Sequence, residues 1–343
     1  MSATLPLYVL ILAGVVDGLL MLFVLCGNVL TICAVKLSRK LSAVLSNQFI
    51  LSLALSDIMV AISLPYHFVF FMEGGLHANS VFCVLRIVLT ILGCASSIGN
   101  LIGIALDRYV AIVYPLHYGR FMTKKVAVAI IITGWAVSIV ISLLPSFWNQ
   151  WNETDRCVSI NKVLPNEYIN FVLIPMFLMV LIGMFVVYTR IWKEATGHAR
   201  RLRNSTSYQY GKMWNDSKSV QVVLLIIGCF SVCWLPFFIS ILIMKLESRL
   251  IYEITLRLAI ANSGINPIIY AWKNSNFRQI FACLLRCRLP TGLYYNASFI
   301  TNYTTAKRTG NVRFVREEQC VQIERDGIAT VSASIETLPE CKV

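Results

Sequence analysis

Charge is scarce in this chain. Asp, Glu, Lys and Arg together make up 14% of its 343 residues, against about a quarter in soluble domains. A soluble enzyme of one or two domains is therefore a poor fit. The four histidines, His67, His77, His117 and His198, are scattered, with no metal-ligand spacing. No nucleophile with a base beside it stands out, and no pair of carboxylates sits at one depth, so enzyme chemistry is not expected. Lys and Arg are absent before Lys36. The first apolar run thus lacks the basic start of a cleavable signal, and it is too long for one. Internal repeats and the inverted halves of many transporters are missing too.

What is abundant is apolar surface. Hydrophobic residues reach 57% and mean hydropathy is +0.70, which excludes collagen and a wholly disordered chain. A bilayer core of roughly 30 Å needs about 20 apolar residues as a helix. Seven runs meet that need, near 8–36, 44–72, 80–113, 124–147, 167–193, 217–245 and 250–272. The expected fold is an all-α membrane protein, a seven-helix bundle. From residue 289 onward the chain turns polar and reads as a disordered tail.

The net charge of +13 fits either nucleic acid or an anionic membrane face. Position decides between them. With the N-terminus outside, 24 of the 30 basic residues fall in inner segments. The positive-inside rule then places the C-terminus in the cytoplasm, and no nucleic-acid partner is needed. Asn152-Glu-Thr, a glycosylation sequon, falls in an outer loop.

An ionisable group inside a span is costly and marks a functional candidate. Asp57 lies mid-span in the second run, with Asn28, Ser97, Asn100, Asn262, Ser263 and Asn266 at similar depth. Such a cluster can hold a small cation, plausibly sodium, or a proton, or it can be a polar network joining helices. Asp107-Arg108-Tyr109 closes the third run on the inner side. Sequence neighbours do not face each other on a helix, so Arg108 is expected to point into the bundle. Pro175, Pro236 and Pro267 each remove a helix hydrogen bond, making static kinks or points of bending.

These residues together resemble the rhodopsin-like (class A) G-protein-coupled receptors. The resemblance covers roughly residues 8–288. It rests on Gly27-Asn28-Val29, Leu53-Ala-Leu-Ser-Asp57, Asp107-Arg108-Tyr109, Trp135, Pro175, Cys233-Trp234-Leu-Pro236 and Asn266-Pro-Ile-Ile-Tyr270, in order in successive spans. It implies a receptor domain over 1–288 with a short amphipathic eighth helix, and a tail over 289–343. It implies a sodium pocket at Asp57, Ser97 and Asn266, with no other cofactor. It places coupling and activation at Asp107, Arg108, Tyr109, Pro115, Leu116 and Tyr270. A disulfide between Cys83 and Cys157 follows from the same likeness, as does palmitoylation at Cys283 and Cys287. The implied partners are a heterotrimeric G protein, an extracellular small molecule, the bilayer, and arrestin with a receptor kinase at the tail. The implied location is the plasma membrane.

The implied ligand pocket comprises Thr90, Ile91, Cys94, Trp234, Phe237, Phe238, Ile241 and Ile260. It is mostly apolar and suits a lipid-like or weakly polar ligand. Thr90 stands where the family's amine receptors carry an Asp. The scaffold is most similar to adenosine receptors, notably over Ala261–Arg278, yet Ile241, Ala259 and Ile260 replace the residues that grip adenosine there. Arg86 and Glu167 read as rim charges, either solvated or meeting a charged ligand group. A transporter or channel is the remote alternative, and it would want several deep charges where only Asp57 is deep.

Overall fold

A computed structural model describes residues 6–71, 79–150, 163–202, 225–226, 228–242 and 249–287. They form helices throughout. The long ones are α1 (Leu7–Leu37), α2 (Ser46–Phe71), α3 (Ser80–Val113) and α4 (Lys124–Phe147). Next, α5 begins as Asn166–Tyr168, widens into a π-helical turn at Ile169–Leu173 and continues as Ile174–Leu202. The sixth helix, α6, is described over Gly228–Leu242. Then come α7 (Arg249–Lys273) and α8 (Ser275–Leu285). Single turns at Arg39–Ser42 and Tyr118–Phe121 lie in the connections.

Five of these helices, α1 to α5, are long and apolar enough to cross a membrane. The seventh expected span, α7, is long enough but carries Arg249, Glu253 and Arg257 in its outer half. The structure shows why that is tolerated. Arg257 forks onto Asp17 of α1 with Nε–Oδ1 2.7 Å and Nη2–Oδ2 2.9 Å. Its Nη1 donates to Glu253 at 2.7 Å, one turn back on the same helix. Two carboxylates and one guanidinium thus satisfy each other between α1 and α7. A charged side chain is costly at the membrane centre, and a hydrogen-bonded partner offsets that cost.

The lipid-facing sides are apolar because no water is there to reward polarity. Ile132 and Val140 of α4 and Leu12 and Leu19 of α1 are all exposed. In a soluble fold such surfaces would aggregate; here the bilayer covers them. Polar residues turn inward instead. Asn28 of α1 donates to the backbone oxygens of Val24 at 2.9 Å and of Ser263 in α7 at 3.0 Å. The Trp135 indole of α4 donates to Ser52 of α2 at 2.9 Å. The Tyr168 hydroxyl ties α5 to the Ile141 carbonyl of α4 at 2.9 Å.

At the centre is α3, which contacts α2, α4 and α5. Small residues permit the close approach, as is usual where van der Waals packing drives helix association in lipid. A Cβ on Gly93 would lie 3.1 Å from the backbone nitrogen of Val60 in α2. At Gly99 it would lie 3.4 Å from the Cα of Gly134 in α4.

Prolines sit within helices and local geometry absorbs them. Pro175 has no N–H for the carbonyl four residues back, and the π-helical turn ends two residues before it. Pro267 stays within α7, and Pro65 and Pro145 lie inside α2 and α4. Beyond α7, Asn274 caps α8 by accepting from the Asn276 N–H at 3.0 Å. Phe277, Ile280 and Phe281 then bury one face of α8 against the bundle, at the i, i+3, i+4 spacing of an amphipathic helix.

Replacing Arg257 by Ala leaves Asp17 and Glu253 buried without their shared cation. The expected loss is about 3–5 kcal/mol, read as a large drop in the thermal midpoint of detergent-solubilised protein. The triple change Asp17→Leu, Glu253→Leu, Arg257→Met is expected to recover most of that loss.

Candidate functional site

Toward the outer end the helices enclose a cavity of about 70 Å³. Drug-sized sites usually reach about 300–1,000 Å³, so an occupant of that size requires these side chains to move apart. Thr90, Ile91 and Cys94 of α3 line it, as do Trp234, Phe237, Phe238 and Ile241 of α6. Seven of the eight residues expected from sequence are thus brought together. The exception is Ile260, which is buried but does not line the cavity. The cavity meets α7 at Tyr252 and Leu256, nearer the outer end, and Ile260 continues that stripe one turn deeper into the core. An aromatic cluster forms the α6 side: Phe238 stacks on Phe177 of α5 with centroids 3.7 Å apart, and Trp234 meets Phe237 edge-on at 6.1 Å.

Two lining residues had been read differently from sequence. Arg86 is no solvated rim charge, since it is 2% exposed and lines the cavity. Its spacing of four residues from Thr90 puts both on one face of α3, a signal present in the sequence. Glu167 is exposed, as a rim charge would be. His67 of α2, one of four histidines scattered along the sequence, is buried and its Nε2 lies 2.7 Å from Thr90 Oγ1. The Thr90 hydroxyl donates its one proton to the Arg86 carbonyl at 2.8 Å. It therefore accepts from His67, which fixes the imidazole as the tautomer protonated at Nε2. Its Nδ1 is then an acceptor, and that atom has no partner among the described residues.

Midway through the bundle, Asp57 is fully buried. Ser97 of α3 donates to Oδ1 at 3.0 Å and Asn266 of α7 to Oδ2 at 2.9 Å. The three expected residues therefore meet in one site. Ser263 of α7 also hydrogen-bonds to this carboxylate, and a carboxylate has about four lone-pair positions, so one remains. Nearby buried polar atoms, Asn28 Oδ1, Ser96 Oγ, Asn262 Oδ1 and Tyr270 Oη, have no partner among the described residues. Such groups usually bond to water or an ion.

At the inner end of α3, Asp107 is buried and accepts from three sides. Ser46 Oγ donates to it at 2.7 Å, Tyr118 Oη at 2.7 Å and Arg108 Nε at 2.9 Å. Arg108 also contacts Ser46 through Nη2. The expectation that helical neighbours point apart holds for their Cβ atoms only, because the long guanidinium stem folds back to its neighbour. Burial, and then the bond to Asp107, push the Tyr118 hydroxyl up to about 12. This phenol stays protonated, and donating, throughout the physiological range.

The other expected positions are dispersed. Tyr109 is half-buried and meets Tyr114 edge-on at 6.2 Å, Leu116 is exposed in the connection after α3 beside Pro115, and Tyr270 packs on Phe277 at 5.5 Å. Cys83 is buried and disulfide-bonded. Asn152, Cys157 and the tail lie outside the described residues. On α8, Cys283 faces the bundle, whereas Cys287 just beyond is exposed.

Residues 27–270 match the family model described as 7 transmembrane receptor (rhodopsin family). The human histamine H2 receptor is 33% identical over 86% of this chain and 85% of its own length. The dog histamine H2 receptor is 31% identical over 90% and 89%. The bovine alpha-1A adrenergic receptor is 29% identical over 80% of this chain and 68% of its own length.

Thr90→Val strands the His67 Nε2–H in an apolar wall. The expected cost is about 1–3 kcal/mol in a thermal unfolding assay. Adding His67→Phe removes the stranded donor, so the double variant is expected to be more stable than Thr90→Val alone.

Proposed function

The chain belongs to the rhodopsin-like seven-transmembrane receptors, which are G-protein-coupled receptors of the cell surface and not enzymes, and we propose that its ligand is a weakly polar small molecule. The observation that carries this is the cavity wall. Aromatic and aliphatic side chains make up most of it, with His67, Arg86 and Thr90 as its polar members, and Thr90 stands where a resembling amine receptor would carry a carboxylate. Among the described residues no carboxylate lines the cavity, since Asp17 and Glu253 are engaged by Arg257 and Glu167 is exposed. An ammonium entering the cavity would lose hydration without a charged partner among the described residues. A second reading, an amine ligand, is favoured by the named relatives, histamine and adrenergic receptors. The adenosine reading is the weaker one, because Ile241, Ala259 and Ile260 offer adenosine no side-chain hydrogen bond.

The N-terminus faces outside and the α3–α4 connection faces the cytoplasm, on the strength of the basic-residue asymmetry. The Asp107–Arg108–Ser46–Tyr118 cluster then holds the inner ends of α2 and α3 together in the closed state. A ligand that prefers the open state shifts the equilibrium. Arg108, freed from Asp107, and Pro115 and Leu116 beside it, meet the G protein. Arrestin and a receptor kinase act at the tail. The exposed Cys287 is the better site for a lipid chain, since Cys283 is packed inward.

Asp57, Ser97 and the unpartnered oxygens near them fit a sodium ion, which takes hard oxygen ligands. Bound there, sodium would offset the buried carboxylate charge. Asp57 supplies the charge, and Ser97 and Asn266 orient its two oxygens.

The ligand class is tested by a cyclic-AMP assay in transfected cells, scoring rises and falls against amines, nucleosides and lipid amides. A response to lipid amides alone is expected, and potent activation by histamine would overturn the weakly polar assignment. Arg108→Ala is expected to abolish nucleotide exchange on the G protein while surface expression persists. In membranes, replacing choline by sodium is expected to lower basal exchange in the parent chain but not in Asp57→Asn. Equal sodium sensitivity in both would reject the ion site.

A further inference from the structure

A groove of about 540 Å³ runs along the outside of the bundle between the inner halves of α6 and α7. It shares no lining residue with the outer cavity. One wall is Leu225 with Gly228, Cys229 and Val232 of α6, and Ile265 of α7 faces them. Val232 is 69% exposed, so the groove opens toward the surrounding lipid. A Cβ built on Gly228 meets nothing within 4 Å, so this glycine leaves the floor open.

The dimensions suit one particular occupant. Leu225 and Cys233 stand eight positions apart in sequence, about 12 Å at the helical rise. Half of a bilayer's hydrocarbon core is about 15 Å. The groove therefore extends through most of one leaflet, from mid-membrane to the headgroups. Among the described residues, the side chains of its walls offer no hydrogen-bond partner beyond thiols. At its inner mouth this changes. Trp272 is exposed there, with Lys273 Nζ 4.3 Å above its ring. From α8, Arg278 Nη1 donates to the Trp272 carbonyl at 3.5 Å. An exposed tryptophan with flanking cations is the usual furniture of a membrane interface.

We propose that this groove is a lipid site holding one acyl chain of an anionic phospholipid, with its phosphate between Lys273 and Arg278. The apolar depth takes the chain and the two cations select the charge. The assignment to the cytoplasmic leaflet rests on the orientation proposed above, but the groove and its cations do not. Since α6 forms one wall, movement of its inner end changes the groove's width, and a retained lipid would respond to that movement.

The test uses the full chain in nanodiscs of phosphatidylcholine with a minor fraction of phosphatidylglycerol. Lipids retained on the protein after release are counted by native mass spectrometry. Each basic residue near an anionic surface is worth about 1 kcal/mol, or roughly fivefold. The parent chain should therefore retain phosphatidylglycerol enriched at least about fivefold over the bulk ratio. Lys273→Gln with Arg278→Gln should return the retained lipid to the bulk ratio. Gly228→Phe, which fills the floor, should lose retained lipid of both kinds. Bulk composition on the parent chain, or enrichment that survives the double substitution, would overturn the site. So would displacement of the phospholipid by added cholesterol in the parent chain. Basal nucleotide exchange in the same discs keeps the two readings apart. A coupling receptor without enrichment sinks only the lipid site, and enrichment without coupling sinks only the receptor mechanism.

Discussion

A charge buried in hydrocarbon must find its partner inside the protein. That constraint organises this bundle at three depths. Near the outer end, Arg257 joins Asp17 to Glu253 and so ties α1 to α7. At the middle, Asp57 draws Ser97 of α3 and Asn266 of α7 onto one carboxylate. At the inner end, Asp107 gathers Arg108, Ser46 and Tyr118. Each cluster joins helices that hydrophobic burial would not hold in register, because lipid tails are as apolar as the helix faces.

The same α3 passes through the outer cavity and the two deeper clusters. It presents Arg86 and Thr90 to the outer cavity, Ser97 to Asp57, and Asp107 and Arg108 to the inner face. Glycines at its contacts with α2 and α4 keep it close to both neighbours. A shift of α3 at the cavity would therefore be felt at the carboxylate below it and at the ion pair below that. Bistable polar clusters along one rigid element are a physical route for coupling between distant sites.

Much of this was legible in the residues. Apolar run lengths marked out the spans, and Asp57, Ser97 and Asn266 announced themselves as polar groups at one depth. Seven of the eight expected cavity residues line it. What was missed has specific causes. Arg86 was misread because charge near a helix end usually means solvent, whereas here the face it shares with Thr90 decides. His67 lies on another helix from Thr90, and only the packing of α2 on α3 puts them 2.7 Å apart. The family resemblance implied Ile260 in the cavity, but the outward depth of the cavity leaves it in the core.

The sequence by itself determined what must lie in the membrane and which polar residues must be satisfied there, because hydropathy and helix period are local properties. It also determined the family, through motifs carried in order along the spans. Only the tertiary structure decided who satisfies whom. Asp17 and Arg257 lie 240 residues apart in the chain, and no periodicity links them. Their pairing, the His67–Thr90 contact and the lipid-facing groove depend on how separate helices are set against one another. Interhelical packing sets that arrangement, and propensity within one helix does not.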